Sequence, residues 1–204
     1  IIEQFKTAIL IAGGNHVTDN HSEIETRLTF NHIIVGDGEN ALLDILQENA
    51  TQQLLYSKPV EDLDSLPMPD YEGVDMSKYT MQVDGKPGAL IITSRGCMWN
   101  CCYCGSAASL NKSKMKKYRE RSPQNVIQEI MVLYNDYGKR GFYIGDDIFT
   151  FNKKRVIEIC KWLTAYKDIS WRATTRSDLL DEELIIWMKH AGCSIMCLGL
   201  ESGS

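Results

Sequence analysis

A chain of 204 residues that is 44% hydrophobic and 24% charged holds enough apolar material for one or two ordinary globular cores, which excludes the disordered and fibrous classes. Its formal net charge of -5 gives no global field for nucleic acid or an anionic membrane, no apolar run has the length of a membrane span, and the opening IIEQFKTAIL lacks the basic region of a signal peptide. Seven cysteines in the cytoplasmic setting this implies are expected to be thiols and metal ligands, not a disulfide framework.

Residues 1–56 alternate strand and helix. TAILIAG predicts a short strand ended by Gly13 and Gly14, HSEIETRL a short helix, HIIVGDG a second strand stopped by Gly36 and Gly38, and ALLDILQENA a helix on the spacing of Leu42, Leu43, Ile45 and Leu46. That is the pattern of the tail of an open parallel sheet, whose ligands sit at the C-terminal strand ends. Residues 57–87 contain Pro59, Pro67 and Pro69 and are expected to be a linker without regular structure.

From residue 88 the alternation resumes. GALIITS is a strand that runs straight into a group of cysteines, and Ser122 caps a helix with Pro123 in its first turn and Val126, Ile127, Ile130, Met131 and Tyr134 inward. GFYIG is a second strand ending at Asp146 and Asp147. Asn152 caps a second helix with Val156, Ile157, Cys160, Trp162 and Leu163 inward, ISWRATT is a third strand, Asp181 opens a third helix that Gly192 closes, and SIMCLGL is a fourth strand. Strict alternation specifies a parallel sheet with right-handed crossovers, open or part of a barrel. Both ends read as cuts inside a domain, so an exposed sheet edge and a tendency to associate are expected.

The stretch GCMWNCCYCGS places Cys97, Cys101 and Cys104 in a C-x3-C-x2-C spacing directly after a strand. Thiolates are soft ligands, and close spacing lets one loop wrap one metal centre. Three cysteines on a four-iron cluster leave one iron open, which is a catalytic arrangement. Structural zinc lacks a second ligand pair downstream, and a redox C-x-x-C made of Cys101 and Cys104 leaves Cys97 without a purpose. Cys102 breaks the spacing, while Cys160, Cys193 and Cys197 are expected to pack in the core. His16, His21, His32 and His190 are expected to be surface or loop residues. KSKMKKYRER, residues 112 to 121, reads as a solvated basic loop, with an anionic substrate or RNA as the sharper alternative.

RGCMWNCCYCG, with Tyr103 before the last cysteine, resembles the signature of the radical S-adenosylmethionine (radical SAM) superfamily. YRERSPQNVIQEI, GDDIFTFNKKRVIEIC, WRATTRSDLLDEELIIWMKHAGC and LGLESGS resemble segments of members that carry an N-terminal cobalamin-binding domain. The resemblance implies an α/β fold: over 1–56 the C-terminal half of a Rossmann-like cobalamin-binding domain, and over 88–204 the first four β/α units of a partial (β/α)6 radical SAM barrel. It implies a 4Fe-4S cluster on Cys97, Cys101 and Cys104, with S-adenosylmethionine on the fourth iron and cleaved reductively to a 5'-deoxyadenosyl radical. It further implies contacts to S-adenosylmethionine from Tyr103, Gly145, Asp146, Asp147, Arg176, Glu201 and Ser202, where the three residues 145 to 147 replace the Gly-Gly-Glu-like motif of relatives. Arg172 is a second candidate for a carboxylate of the cofactor or substrate. Gly13, Gly14, Gly38 and Glu39 are the implied cobalamin contacts.

The implied function is cobalamin-dependent methyl transfer, or a related modification of an unactivated substrate, fed by an electron donor such as flavodoxin or ferredoxin. The alternatives are a methylthiotransferase-like RNA modifier and a non-catalytic iron-sulfur or zinc module. No general acid or base stands out, the substrate is open between a small molecule and a peptide, and nucleic acid is not expected.

Overall fold

The computed structural model describes residues 8–27, 29–106, 118–201 and 203, which fall into two units, Ile1–Glu61 with Cys97–Lys117 and Asp62–Gly96 with Tyr118–Ser204. In the first unit β1 (Ile11–Ala12), α1 (Asn15–Arg27), β2 (His32–Val35), α2 (Glu39–Leu46) and β3 (Leu54–Tyr56) build a parallel sheet in the order β1-β2-β3. Strand alternation sends Ile33 to one face, where Ala12, Val17 and Ile24 meet it, and Ile34 to the other, where Ala41 and Ile45 meet it. The two helices therefore cover opposite faces, as in a doubly wound sheet. The helix expected over HSEIETRL begins earlier, at Asn15, because Val17 and Thr18 are buried; at Asn20, which donates from Nδ2 to the His16 carbonyl at 3.0 Å, the backbone leaves helical geometry. Strand β3 has only three residues and no alternation by which the sequence would reveal it.

The second unit runs through β4 (Gln82–Val83), β5 (Lys86–Ile91), β6 (Ser94–Gly96), β7 (Tyr118–Glu120), α3 (Pro123–Asn135), β8 (Gly141–Ile144), α4 (Lys153–Leu163), β9 (Ser170–Thr175), α5 (Glu182–His190) and β10 (Cys193–Leu198). Its main sheet has the order β10-β9-β8-β5-β4, with β5, β8, β9 and β10 parallel and β4 antiparallel to β5. The three helices follow the expected caps. Ser122 accepts from Asn125 N at 3.2 Å, Asn152 from Arg155 N at 3.2 Å, and Asp181 from Leu184 N at 2.9 Å.

Ala89, Ile91, Phe142, Ile144, Trp171 and Ala173 alternate onto one sheet face, where Val126, Ile130, Leu133, Val156, Ile159, Leu163, Leu184 and Met188 complete one core. Each large side chain buried there contributes about 1.5–3 kcal/mol. The intervening residues, Leu90, Tyr143, Arg172 and Ile195, face the other way, and no helix among the described residues of the unit covers them. One-sided helix cover marks a barrel wall, whereas a doubly wound sheet is covered twice. Trp162, expected inward, is exposed, because Ile159 and Leu163 set the buried stripe of α4. Gly192 closes α5 at φ +90°, and a Cβ there would stand 2.4 Å from the Ile169 carbonyl oxygen.

The proline-containing segment is more structured than expected. It carries 3-10 turns at Leu63–Ser65 and Met76–Lys78 and ends in the β4–β5 hairpin, whose Asp84 and Gly85 take φ of 54° and 71°. Asp64 accepts from Ser122 N through both oxygens, at 3.0 and 3.2 Å, which ties this segment to the start of α3.

Candidate functional site

The cysteine loop follows Gly96, the last residue of β6. Cys97, Cys101 and Cys104 are half-buried thiols in no disulfide, Cys102 is exposed, and Cys104 N donates to Cys101 O at 3.1 Å in a turn. Tyr103 projects outward at 65% exposure. Among the described residues no three His, Cys, Asp or Glu side chains are gathered round a metal-sized space. The donor chemistry fits an iron-sulfur centre nonetheless: three unoxidised thiols on one short loop, with no disulfide to consume them.

What holds the strand before that loop is a set of buried groups in the second unit. Asp146, which follows β8, is 3% exposed; its Oδ1 accepts from Thr93 N at 2.6 Å, and its Oδ2 accepts from Thr93 Oγ1 and Ser94 Oγ, each at 2.6 Å. Burial pushes this carboxyl above the ordinary aspartate range, against the hydrogen bonds that lower it. The other side of Thr93 is held too. Its carbonyl accepts from Arg155 Nη2 at 2.8 Å and from Arg121 N at 2.9 Å. Asp146 is therefore committed to the β5–β6 junction, whereas Asp147 is exposed beside it and Gly145 is packed so that a Cβ would meet Leu90 Cδ1 at 2.7 Å.

The remaining expected residues are scattered among the strand ends. Arg176 forks onto Asp178, Nε to Oδ1 and Nη2 to Oδ2 at 3.0 Å each, which holds the Asp178 carboxyl below its usual range. Arg172, mid-strand on β9, lies with its guanidinium carbon 4.1 Å from the centre of the Tyr143 ring. Glu201, after β10, is exposed at φ 56°, and Ser202 lies outside the described residues. Thr150 and Thr175 share a hydrogen bond that links the β8–α4 connection to the end of β9.

In the first unit Gly13 and Gly14 follow β1, and Gly38 and Glu39 stand at the turn from β2 into α2, so these four occupy the C-terminal ends of adjacent parallel strands. A Cβ at Gly14 or Gly38 would meet nothing within 4 Å. A cleft of about 470 Å³ opens nearby, lined by Asn40, Leu43, Asp44, Tyr56 and Lys58 among others. His21 is bonded to Tyr56 OH at 3.2 Å and His32 to Gln52 O at 2.9 Å, as loop and surface histidines should be.

Two expectations need correction, and one group of residues went unread. Of the basic run, Lys112 to Lys117 lie outside the described residues, but Tyr118–Glu120 is a strand, Arg119 is buried, and Arg121 pairs with the buried Glu129. Two of its six cations are thus structural and unavailable to a polyanion. Cys197 is exposed on the uncovered face of β10, not in the core. Cys160 is core, and its thiol is pushed up to about 12 by burial. Sequence reasoning passed over Thr93, Ser94, Arg155 and Glu129. Only the placement of a hydroxyl pair two residues before the cysteine loop hinted at them.

The radical SAM superfamily profile matches residues 91–204, more than half of the chain. The chain belongs to the radical SAM superfamily. Its radical SAM segment begins at the last residue of β5 and contains the cysteine loop and β6 through β10. An uncharacterized methyltransferase of Pyrococcus horikoshii is 36% identical over 71% of this chain and 30% of its own length. The anaerobic magnesium-protoporphyrin IX monomethyl ester cyclase of Cereibacter sphaeroides is 24% identical over the whole chain and 37% of its own. Two structures of the radical SAM methyltransferase TsrM from Kitasatospora setae share the fold at 16% identity. The one with tryptophan and aza-SAM bound aligns over 98% of this chain and 42% of its own with a TM-score of 0.70, and the one with cobalamin and a [4Fe-4S] cluster bound aligns with 0.66. The chain thus spans about a third of the curated relatives it matches. No helix among the described residues is long and apolar enough to cross a membrane.

Proposed function

We propose that this chain is part of a cobalamin-dependent radical SAM methyltransferase and carries its cluster-binding loop. The observation that carries the reading is the C-x3-C-x2-C run of thiols, none of them in a disulfide, inside the segment matched by the superfamily. Cys97, Cys101 and Cys104 would hold a 4Fe-4S cluster. Bound there, the cluster supplies the electron that cleaves S-adenosylmethionine, and cobalamin supplies a carrier for the methyl group. Methyl transfer is supported by the names of the Pyrococcus and Kitasatospora proteins, and cobalamin by the TsrM complex.

The chain's own residues divide the remaining work. Asp147 takes the S-adenosylmethionine ammonium in our reading, because both oxygens of Asp146 are occupied by Thr93 and Ser94. Arg176 and Glu201 serve the cofactor's amino-acid and ribose groups, with Tyr103 beside the cluster. Residues 1–56 are the end of the cobalamin domain and use the glycine turns at Gly13, Gly14 and Gly38 to admit a bulky ligand; residues 57–87 connect it to a core of 88–204. A cytoplasmic location and a flavodoxin or ferredoxin donor complete the reading.

The test is anaerobic iron-sulfur reconstitution of the full-length protein, followed by electron paramagnetic resonance of the reduced sample with and without S-adenosylmethionine. A 4Fe-4S signal that shifts with the cofactor and disappears in Cys97→Ala, Cys101→Ala or Cys104→Ala is expected. A silent sample holding stoichiometric zinc would overturn the proposal.

A further inference from the structure

On the uncovered face of the second unit's sheet, Leu90, Tyr143, Arg172 and Ile195 form one row across β5, β8, β9 and β10, since Leu90 pairs with Tyr143, Tyr143 with Arg172, and Arg172 with Ile195 in the strand registers. Leu90 is 51% exposed and Ile195 45% exposed, so the row is an apolar surface with one cation at its centre. Among the described residues that cation has an aromatic ring for a neighbour and no hydrogen-bond acceptor. Its guanidinium carbon lies over the Tyr143 ring, 4.1 Å from the centre, and its Nε is buried without a hydrogen-bond partner among the described residues. A guanidinium placed over a ring spends no hydrogen-bond donor on it, which leaves its N–H groups for an oxyanion, and a buried donor left unpaired costs about 1–3 kcal/mol until something accepts from it. Arg119 Nε and Arg155 Nη1 are also buried without a hydrogen-bond partner among the described residues, but Arg121, Arg140, Arg155 and Arg176 each donate elsewhere to a carboxylate or carbonyl, and Arg119 and Arg155 are buried residues of β7 and α4 and not on this face.

We infer that Arg172, lying over the Tyr143 ring, is an oxyanion-binding point for the substrate, which is a flat, largely apolar molecule bearing a carboxylate or phosphate. The inference rests on the enzymatic reading above and narrows its substrate class. Position favours the substrate over S-adenosylmethionine as the source of the anion: Arg172 is the third residue of β9, three residues before the strand ends at Thr175, about 10 Å below the strand ends where the cofactor contacts are proposed. Leu90 and Ile195 on either side offer contact to a ring system, with the charge fixing its orientation.

The test uses the full-length protein and two probes of one shape, 2-naphthoate and its neutral counterpart 2-naphthamide, titrated calorimetrically. Naphthoate should bind about tenfold tighter than naphthamide. Arg172→Gln should abolish that preference while leaving naphthamide binding and the circular dichroism spectrum unchanged, and Arg172→Lys should restore part of it. A preference that survives in Arg172→Gln, or no preference in the parent protein, overturns the inference. Saturating S-adenosylmethionine should leave the naphthoate affinity unchanged; competition between them would assign the guanidinium to the cofactor's carboxylate and refute the substrate assignment. A preparation that binds no cluster yet keeps an Arg172-dependent preference would count against the proposed function and leave this binding point standing.

Discussion

Replacing Asp146 by alanine separates a structural anchor from a cofactor ligand. The carboxylate is buried and accepts three hydrogen bonds, one from a backbone N–H and two from hydroxyls. The hydroxyls of Thr93 and Ser94 can turn to other acceptors, and each loses about 0.5–1.5 kcal/mol; the Thr93 N–H cannot turn, and leaving it buried and unpaired costs about 1–3 kcal/mol. Relief of the carboxylate's own burial offsets part of this, since burial is what raises its pKa. The net loss should be about 3 kcal/mol, which for a chain of this size lowers the melting temperature by roughly 6–12 °C. Asp146→Asn should lose about half as much, because its carbonyl still accepts from Thr93 N and its amide can donate to the hydroxyls. Differential scanning fluorimetry together with S-adenosylmethionine titration reads both quantities. A fully stable Asp146→Ala protein with S-adenosylmethionine binding abolished would show that the residue faces the cofactor, and the anchoring argument would be wrong.

Other outcomes follow from the same geometry. Asp147→Ala should weaken S-adenosylmethionine binding, and equal affinity would remove it from the site. Glu129→Ala removes the counter-charge of the largely buried Arg121 guanidinium, which keeps its bonds to Asn125 and the Ile92 carbonyl, and also removes the acceptor of Tyr71 OH at 2.6 Å, so chemical denaturation should report a loss of about 3 kcal/mol. Tyr71→Phe should cost about 1 kcal/mol alone and almost nothing on top of Glu129→Ala. Gly192→Ala should cost more than Gly138→Ala. Both sit at positive φ, but only at Gly192 does the new methyl run into a carbonyl, and indistinguishable denaturation midpoints would contradict this. Iodoacetamide at pH 8 should label Cys102 and Cys197 in the native protein and spare Cys160, whose thiol stays protonated far above that pH; mass spectrometry of the labelled peptides decides.

What the sequence disclosed was local. The caps Ser122, Asn152 and Asp181 each bond a residue three positions on, and the cysteine spacing spans eight residues, so both are legible in the chain itself. Asp64 reaches Ser122 across 58 positions and Asp146 reaches Thr93 across 53, and nothing in either neighbourhood announces the partner. The same distance explains why Arg119 and Arg121 looked like part of a solvated run: their burial is decided by β6 and Glu129. The Asp84-Gly85 hairpin was readable from its dipeptide, and the prolines before it drew attention away. Cys197 and Trp162 were misplaced by apolar character alone, which does not say which face of an element a core occupies.

The alternation along β9 has an evolutionary consequence. Trp171 and Ala173 answer to the helices behind the sheet, while Arg172 and Thr174 answer to whatever lies in front of it. Two selective pressures are thereby written into one strand at period two: a change at a forward-facing position alters that face without opening a cavity in the core behind it. A lineage built this way can exchange its ligand by a few point changes on Leu90, Tyr143, Arg172 and Ile195 while the folded state keeps its stability throughout.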